Sequence, residues 1–202
     1  MYIVFEGIDN CGKSTQIKLL YKYFKENTNR TVERIKEPSN SSIGRFILDF
    51  MKSEEALSDT NKEITSLLFS ADRLTQKNKI LQYKNNPENI LISDRSYISS
   101  ICYQSNQRIN TSWIEQINKY IPQPDLTIIL RITPDMSIKR SSQDTAYETK
   151  SQLKRIQNNY LHYAMNHRHT YIINGAQARK TIHKNIKKTV QNYMQNEYNK
   201  VI

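Results

Sequence analysis

The sequence has little of what marks a secreted or membrane-bound protein. Among 202 residues there are two cysteines, Cys11 and Cys102, which are too few for a disulfide framework and favour a reducing compartment. No apolar run approaches the roughly 18 residues of a membrane-spanning helix. No basic leader with an apolar stretch precedes Glu6 and Gly7. We therefore expect a cytoplasmic protein without a membrane partner.

Glycine-rich and repetitive segments are scarce as well. The chain has four glycines, and we find no internal repeat, no linker and no second domain. A chain of this length can bury a full hydrophobic core. The sequence therefore predicts a single domain over residues 1–202.

Acidic residues are rare in the last third of the chain. Residues 1–130 carry 17 Lys and Arg against 15 Asp and Glu, whereas residues 131–202 carry 13 against 4. The excess positive charge could attract a polyanion such as a nucleotide or a nucleic acid. Because it falls on segments that look helical, the favoured interpretation is a solvated, Lys-rich helix surface. A nucleic-acid partner is not favoured.

Strand and helix patterns alternate along the chain. Short apolar runs predict five strands, at 2–5, 31–35, 89–93, 126–132 and 170–173. Helical spacing of apolar residues fills the segments between them, and it includes predicted helices over 111–120 and 178–197. This alternation predicts an α/β fold with a mostly parallel sheet that helices cover on both faces.

One motif carries a specific chemistry. Residues 7–14 read Gly-Ile-Asp-Asn-Cys-Gly-Lys-Ser, the phosphate-binding pattern G-x-x-x-x-G-K-[ST], and they lie between a predicted strand and a predicted helix as that pattern requires. Glycine lets the backbone amides approach phosphate oxygens. Lys13 can reach the β- and γ-phosphates, and the Ser14 hydroxyl can bind Mg²⁺. We therefore predict a nucleoside triphosphate site.

The phosphate-binding loop alone does not distinguish a GTPase, a motor ATPase and a kinase. We find no N-K-x-D motif of the kind that reads guanine in a GTPase. A second strand instead ends in Asp94 and Arg95. This pair suits contact with Mg²⁺ through water and clamping of a phosphate, although a structural ion pair is the alternative.

Taken together, the motifs resemble the thymidylate kinase family along nearly the whole chain. The matching segments are Phe5–Asp9, Gly12–Gln16, Lys36–Pro38, Leu67–Arg73, Asp94–Arg95, Ser99–Ser100, Tyr103–Gln104, Pro124–Ile128 and the helix that contains Tyr160, Leu161 and Ala164. The resemblance implies a P-loop kinase fold with a five-stranded sheet and a short lid at about 141–149. It also implies phosphoryl transfer from Mg·ATP to dTMP, which gives dTDP and ADP.

The resemblance assigns the donor side of the site. Lys13 and Arg95 would bridge the donor and acceptor phosphates, Asp9 would orient the acceptor and the catalytic groups, and Ser14 and Asp94 would hold Mg²⁺. The ATP-binding residues would be Gly7, Ile8, Asp9, Asn10, Cys11, Gly12, Lys13, Ser14 and Thr15.

The resemblance assigns the acceptor side too. Phe69 would stack on thymine, Arg73 would donate to its O4, and Tyr103 would close on the 2′ position of the sugar. The dTMP-binding residues would be Asp9, Lys36, Phe69, Arg73, Arg95, Ser100, Tyr103 and Gln104. Two alternatives stay open at this stage, because Phe69 could be a core residue and Arg73 a solvated residue on a helix surface.

Departures from the family pattern point to a further catalytic residue. Family members carry an Arg either at the position of Asn10 or in the lid, and the segment 141–149 contains no Arg or Lys. Arg140, at the base of the lid, is therefore the candidate to meet the transferring phosphate. The family also implies a homodimer. A related kinase with a different acceptor base, or a nucleotide-dependent nucleic-acid-binding protein, remains an alternative.

Overall fold

A computed structural model describes residues 1–53, 61–106, 109–141 and 149–198. The strands are β1 (Tyr2–Glu6), β2 (Thr31–Lys36), β3 (Asn89–Asp94), β4 (Leu126–Arg131) and β5 (Thr170–Asn174). The helices are α1 (Lys13–Asn27), α2 (Ser42–Phe50), α3 (Lys62–Lys84), α4 (Tyr97–Gln104), α5 (Thr111–Ile117), α6 (Pro134–Arg140), α7 (Lys150–Asn166) and α8 (Arg179–Tyr193). Most of the predicted lid, residues 142–148, lies outside the described residues.

The five strands form one parallel sheet in the order β2-β3-β1-β4-β5. Phe5 of β1 pairs with Asp94 of β3 and with Ile128 of β4. Because parallel strands end at the same edge, the loop after β1 and the Asp94–Arg95 pair after β3 meet there. The predicted α/β class and the parallel five-stranded sheet are confirmed.

Burial follows the position of each strand in the sheet. All residues of β1 are buried, as expected for a central strand that is covered on both faces, whereas Val32 is the one buried residue of the edge strand β2. Ile3 and Phe5 belong to the large core cluster, while Tyr2 and Val4 pack on the opposite face with residues of α3. The predicted cover of helices on both faces is therefore confirmed.

Helix α5 ends three residues before the predicted end at Tyr120. The backbone N–H of Asn118 donates to the Ile114 and Glu115 carbonyls, and its side-chain amide also donates to the Ile114 carbonyl at 2.8 Å. Asn118 thereby satisfies the free carbonyls at the helix end. Asn118, the first residue after the helix, is also a buried partner of Arg73. The spacing of apolar residues could not indicate this role.

The last predicted helix also differs in detail. The α-helix α8 ends at Tyr193, and Met194–Tyr198 continue as a π-helical turn, although α-helix was expected to about Glu197. Within the described ranges, no helix is long and apolar enough to cross a membrane.

Candidate active site

The phosphate-binding loop connects β1 to the first turn of α1. Gly7 has φ +133°, and a Cβ at this position would lie 2.5 Å from the carbonyl oxygen of Leu130 on the neighbouring strand β4. Gly12 has φ +101° and precedes the first helical residue, Lys13. Both glycines are therefore required by backbone conformation, and Gly7 also by the close approach of β4.

Lys13 folds back over the loop. Its Nζ donates to the Gly7 carbonyl at 3.0 Å and to the Ile8 carbonyl at 3.2 Å, and the residue is 7% exposed. The ammonium group is thus held inside the concave loop, with its charge beside the backbone amides that would face a phosphate chain.

Ser14 and Asp94 lie together at the start of α1. The Ser14 hydroxyl donates to Asp94 Oδ2 at 2.9 Å. The other carboxylate oxygen, Oδ1, is buried and has no hydrogen-bond partner among the described residues. A buried carboxylate oxygen without a donor is costly, and it is the kind of hard ligand that Mg²⁺ prefers, directly or through water. These two residues therefore fit the predicted metal site.

Arg95 follows β3 in a left-handed conformation, with φ +77°. Its backbone N–H donates to the Phe5 carbonyl at 3.0 Å, and the Ser93 hydroxyl donates to the Arg95 carbonyl at 2.7 Å. These bonds hold a backbone conformation that is uncommon for a residue with a side chain. They aim the guanidinium at the loop after β1.

The guanidinium of Arg95 joins the phosphate-binding loop to helix α4. One end forms an ion pair with Asp9 of the loop. The other contacts are with the Ser99 hydroxyl at 3.0 Å, the Tyr103 hydroxyl at 3.1 Å and the Tyr160 hydroxyl at 3.4 Å. Desolvation would raise the pKa of Asp9, but the charges of Arg95 and Lys13 outweigh it and lower that pKa below its ordinary value.

A cavity of about 300 Å³ opens beside Arg95. It is lined by most of the predicted acceptor residues, namely Asp9, Phe69, Arg73, Arg95, Ser100, Tyr103 and Gln104. Lys36 is not one of the lining residues. It is exposed at the carboxyl end of β2, where its backbone is the register partner of Asp94 in β3. The structure therefore places every predicted dTMP-binding residue except Lys36 around a single cavity.

Arg73 is a buried cation on the cavity wall, 2% exposed. Its Nε donates to Glu37 at 2.8 Å, and its Nη1 donates to Asn118 Oδ1 at 3.1 Å. Its Nη2 donates to the Ser96 carbonyl at 3.2 Å and to the Ser100 hydroxyl at 2.9 Å. Among the residues that the structure describes, these contacts use four of the five N–H groups of a guanidinium, which leaves one Nη1 hydrogen for a ligand.

Three of the residues predicted to bind dTMP differ in their burial and in their free polar groups. The interpretation of Arg73 as a solvated surface residue is wrong, because Arg73 is almost wholly buried. Phe69 is half-buried and lines the cavity. Gln104 also lines the cavity and has a buried side-chain carbonyl without a partner among the described residues, so that an unused acceptor belongs to the cavity wall.

The comparisons with known proteins agree on one family. A family model for thymidylate kinase matches residues 5–186. A protein of Methanosphaera stadtmanae described as a probable thymidylate kinase is 48% identical over 80% of this chain and 82% of its own length. One from Methanobrevibacter smithii with the same description is 38% identical over 96% of both chains. The crystal structure of thymidylate kinase from Ehrlichia chaffeensis superposes with a TM-score of 0.70 at 26% identity, over 95% of this chain and 98% of that one.

This chain belongs to the thymidylate kinase family. The P-loop kinase fold that the resemblance implied is confirmed, and so is the family itself. ATP-dependent phosphorylation of dTMP is the reaction that these similarities support, and the alternative functions are not favoured.

Arg140 contacts the phosphate-binding loop on the donor side of the site. Its guanidinium lies 3.3 Å from the Asn10 carbonyl of the loop and 3.5 Å from the Gly175 carbonyl after β5. It therefore bridges the loop and the segment that follows β5. A contact with the transferring phosphate remains a prediction for Arg140.

Several residues of this thymidylate kinase site were missed by the sequence reasoning. They are polar residues that contact predicted site residues or one another, namely Glu6, Glu37, Ser99, Asn118 and Tyr160. Four of them, all but Asn118, lie within segments that carried the family resemblance, but none had a role there. Their signal was weak because a single buried polar residue creates no periodic pattern.

Glu37 provides a pH-dependent prediction. Its side chain is 6% exposed and pairs with Arg73. Burial raises the pKa of Glu37 to about 7, against the opposing charge of Arg73. Between pH 4.5 and 7 the unfolded chain therefore releases this proton before the native state does, and the free energy of unfolding falls as the pH rises.

The Glu37→Gln variant should lack this dependence. We expect the wild-type free energy of unfolding, minus that of the variant, to decrease from pH 5 to pH 7.5 in urea titrations. The subtraction cancels the carboxylates that both proteins share. A difference that increases with pH would mean that Arg73 lowers the pKa of Glu37 instead.

Proposed function

We propose that the chain transfers a phosphoryl group from Mg·ATP on the loop to the 5′-phosphate of dTMP in the cavity. One observation carries this proposal. The Arg95 guanidinium contacts Asp9 in the phosphate-binding loop and Ser99 and Tyr103 on the cavity wall, so that a single cation lies between the donor and acceptor sites. The acceptor is already an anion, and catalysis then requires positioning and charge stabilisation rather than a strong base.

On the donor side, the loop would hold the triphosphate. The backbone amides of residues 7–15 would donate to phosphate oxygens, and the first turn of α1 would add its positive end. Lys13 would leave the Gly7 and Ile8 carbonyls and bind the β- and γ-phosphates. Its buried position supports this role, because the ammonium already lies within the loop.

Ser14 and Asp94 would hold Mg²⁺. The unpartnered Oδ1 of Asp94 and the Ser14 hydroxyl that donates to Oδ2 support this proposal. Bound there, Mg²⁺ supplies positive charge to the donor phosphates and helps to orient them.

On the acceptor side, polar groups would select the base and the sugar. Phe69 would stack on the ring, the free Nη1 hydrogen of Arg73 would donate to O4, and the Gln104 carbonyl would accept from N3–H. Ser100 would support the base edge, because its hydroxyl accepts from Arg73 and can itself donate to the base. Asp9 would contact the sugar and phosphate end of dTMP. Lys36, which lies outside the cavity lining, would have to extend from the end of β2 to reach the phosphate.

We further propose that Arg140 turns from its carbonyl partners to the transferring phosphate when both substrates are bound. Its exposed position beside the loop supports this motion. The chain would act in the cytoplasm as one domain, and the two buried free cysteines agree with a reducing compartment.

A homodimer completes the proposal. Helices α2 and α3 pack against each other and expose five large apolar side chains, each between 44% and 56% exposed: Phe46, Leu48, Ile64, Leu67 and Leu74. Several large apolar side chains exposed on neighbouring helices are typical of a protein–protein interface. We expect light scattering to give a dimer and the Leu67→Glu variant to give a monomer. The Met165→Glu variant, at a distant exposed position, should stay dimeric.

A coupled assay of ADP release tests the catalytic proposal. The acceptors are dTMP, dUMP, UMP, dCMP and AMP, each with Mg·ATP. We expect dTMP to give the highest kcat/KM. Phosphorylation of none of them would contradict the proposed function, and a preference for AMP would move the chain to another nucleotide kinase activity.

A further inference from the structure

Glu6 is a fully buried carboxylate at the end of β1, immediately before the phosphate-binding loop. Three hydroxyl groups donate to it. Ser96 donates to Oε1 at 2.8 Å, and Ser99 and Tyr160 donate to Oε2 at 2.7 Å and 2.8 Å. A buried charge without such donors would be strongly unfavourable, so that this cluster lets β1 carry a carboxylate in the core.

Two of these hydroxyls also contact Arg95. The guanidinium Nη1 lies 3.0 Å from Ser99 Oγ and 3.4 Å from the Tyr160 oxygen. A hydroxyl has one proton to donate and two lone pairs that accept. The two hydroxyl oxygens also lie 3.1 Å apart, where either could donate to the other. An ionised Glu6 can only accept, and it attracts both protons, which leaves the lone pairs of Ser99 and Tyr160 to face the cation. The carboxylate therefore determines which way these hydroxyls are oriented.

We propose that Glu6 is a positioning residue that acts on Arg95 through the Ser99 and Tyr160 hydroxyls. It keeps both hydroxyls in the accepting orientation and places a negative charge one hydroxyl away from the guanidinium. Arg95 is thereby held at the junction between Asp9 and the acceptor cavity before any substrate binds. This inference rests on the proposed role of Arg95 at the acceptor phosphate.

The acceptor phosphate provides a readout that a merely structural role of Glu6 would not affect. If Glu6 acts through Arg95, the loss of Glu6 should weaken the binding of only those ligands that carry the phosphate which Arg95 contacts. Thymidine shares the base and sugar of dTMP but has no phosphate. A general distortion of the cavity would instead weaken the binding of thymidine and of dTMP by the same factor.

We expect the Glu6→Gln variant to bind dTMP about tenfold more weakly and to bind thymidine with unchanged affinity in isothermal titration calorimetry. The kcat with dTMP should fall by a similar factor or more, because Arg95 also meets the charge that develops during transfer. The Tyr160→Phe variant should show the same selective loss, and it replaces Glu6→Gln if that variant does not fold.

The Tyr97→Phe variant is the matched control. Tyr97 also has a buried ring, and its hydroxyl contacts Tyr163 at 3.1 Å and Gln123 rather than the Glu6 cluster. This variant should bind dTMP and thymidine as the wild type does. Equal losses of dTMP and thymidine binding in Glu6→Gln and Tyr160→Phe, or no loss in either variant, would overturn the proposal.

A separate variant distinguishes this proposal from the role of Arg95 itself. If Arg95→Lys has wild-type dTMP affinity and turnover, then the assigned role of Arg95 is wrong, and the inference about Glu6 fails with it. If Arg95→Lys is impaired but adding Glu6→Gln reduces dTMP binding further by its full factor, then Glu6 does not act through Arg95. The expected result is that Glu6→Gln has little further effect in the Arg95→Lys background.

Discussion

Replacing Lys13 by Ala is expected to lower kcat about 10²- to 10⁴-fold, the loss that accompanies removal of one preorganised electrostatic group at a reacting phosphate. Lys13 is the cation inside the phosphate-binding loop, with its Nζ 3.0 Å from the Gly7 carbonyl and 3.2 Å from the Ile8 carbonyl. The same loop would bind the triphosphate. Because charge on the transferring group changes most in the transition state, kcat should fall more than ATP affinity.

The Lys13→Ala experiment needs a fold control and a charge control. Thermal unfolding of the variant shows whether the loop and α1 stay folded. Lys18, exposed on the same helix α1, is the matched position, and Lys18→Ala removes one positive charge without reaching the loop. Turnover close to that of wild type in a folded Lys13→Ala protein would remove the donor-site assignment.

The parts of the fold that the sequence predicted well are those with a local or periodic signal. The central strands β1 and β4 are continuous apolar runs because both their faces are buried. The phosphate-binding loop is a contiguous motif, and its glycines are required by the local backbone conformation. Asp94 and Arg95 were correctly expected at a strand end, because parallel strands deliver such residues to one edge of the sheet.

The contacts that organise the site were not predictable in the same way. Arg73 bonds to Glu37 and Asn118, which lie 36 and 45 positions away, and Glu6 accepts from Tyr160 across 154 positions. Crossover connections between parallel strands bring these residues together. Residues so far apart in the sequence give no local pattern that would predict these contacts. The buried carboxylate of Glu6 only interrupts the apolar pattern of its strand.

Substrate selection should show the second large effect, with kcat/KM falling in the order dTMP, dUMP, and then UMP and dCMP. The stacking surface of Phe69 accepts any pyrimidine, so that polar groups must discriminate. The free Nη1 hydrogen of Arg73 can only donate, and the unpartnered Gln104 carbonyl can only accept. Thymine offers O4 and N3–H in the matching positions.

Cytosine mismatches Arg73, because it presents an amino group to a donor, whereas its unprotonated N3 requires the Gln104 amide to turn and donate from its nitrogen. Each buried polar group that is left unpaired costs about 1–3 kcal/mol. We therefore expect kcat/KM for dCMP to fall about ten- to a hundredfold below that for dTMP. The 5-methyl group contributes only about 1 kcal/mol of burial, so that dUMP should remain a substrate, about fivefold poorer.

Tyr103 should exclude the ribose 2′-hydroxyl and make UMP poorer than dUMP. Its ring is held edge-on to Tyr160, with centroids 6.3 Å apart, and its hydroxyl accepts from Arg95 at 3.1 Å. Tyr103→Phe should keep the preference for dUMP over UMP, because the ring remains, but it should lower kcat through the lost contact with Arg95. Tyr103→Ala should reduce the difference in kcat/KM between dUMP and UMP.

The measurement is kcat/KM for dTMP, dUMP, UMP and dCMP in the ADP-release assay, for the wild type and both variants. A wild-type preference for dCMP would show that Arg73 and Gln104 do not read the base, and an unchanged preference for dUMP in Tyr103→Ala would show that another group excludes the ribose.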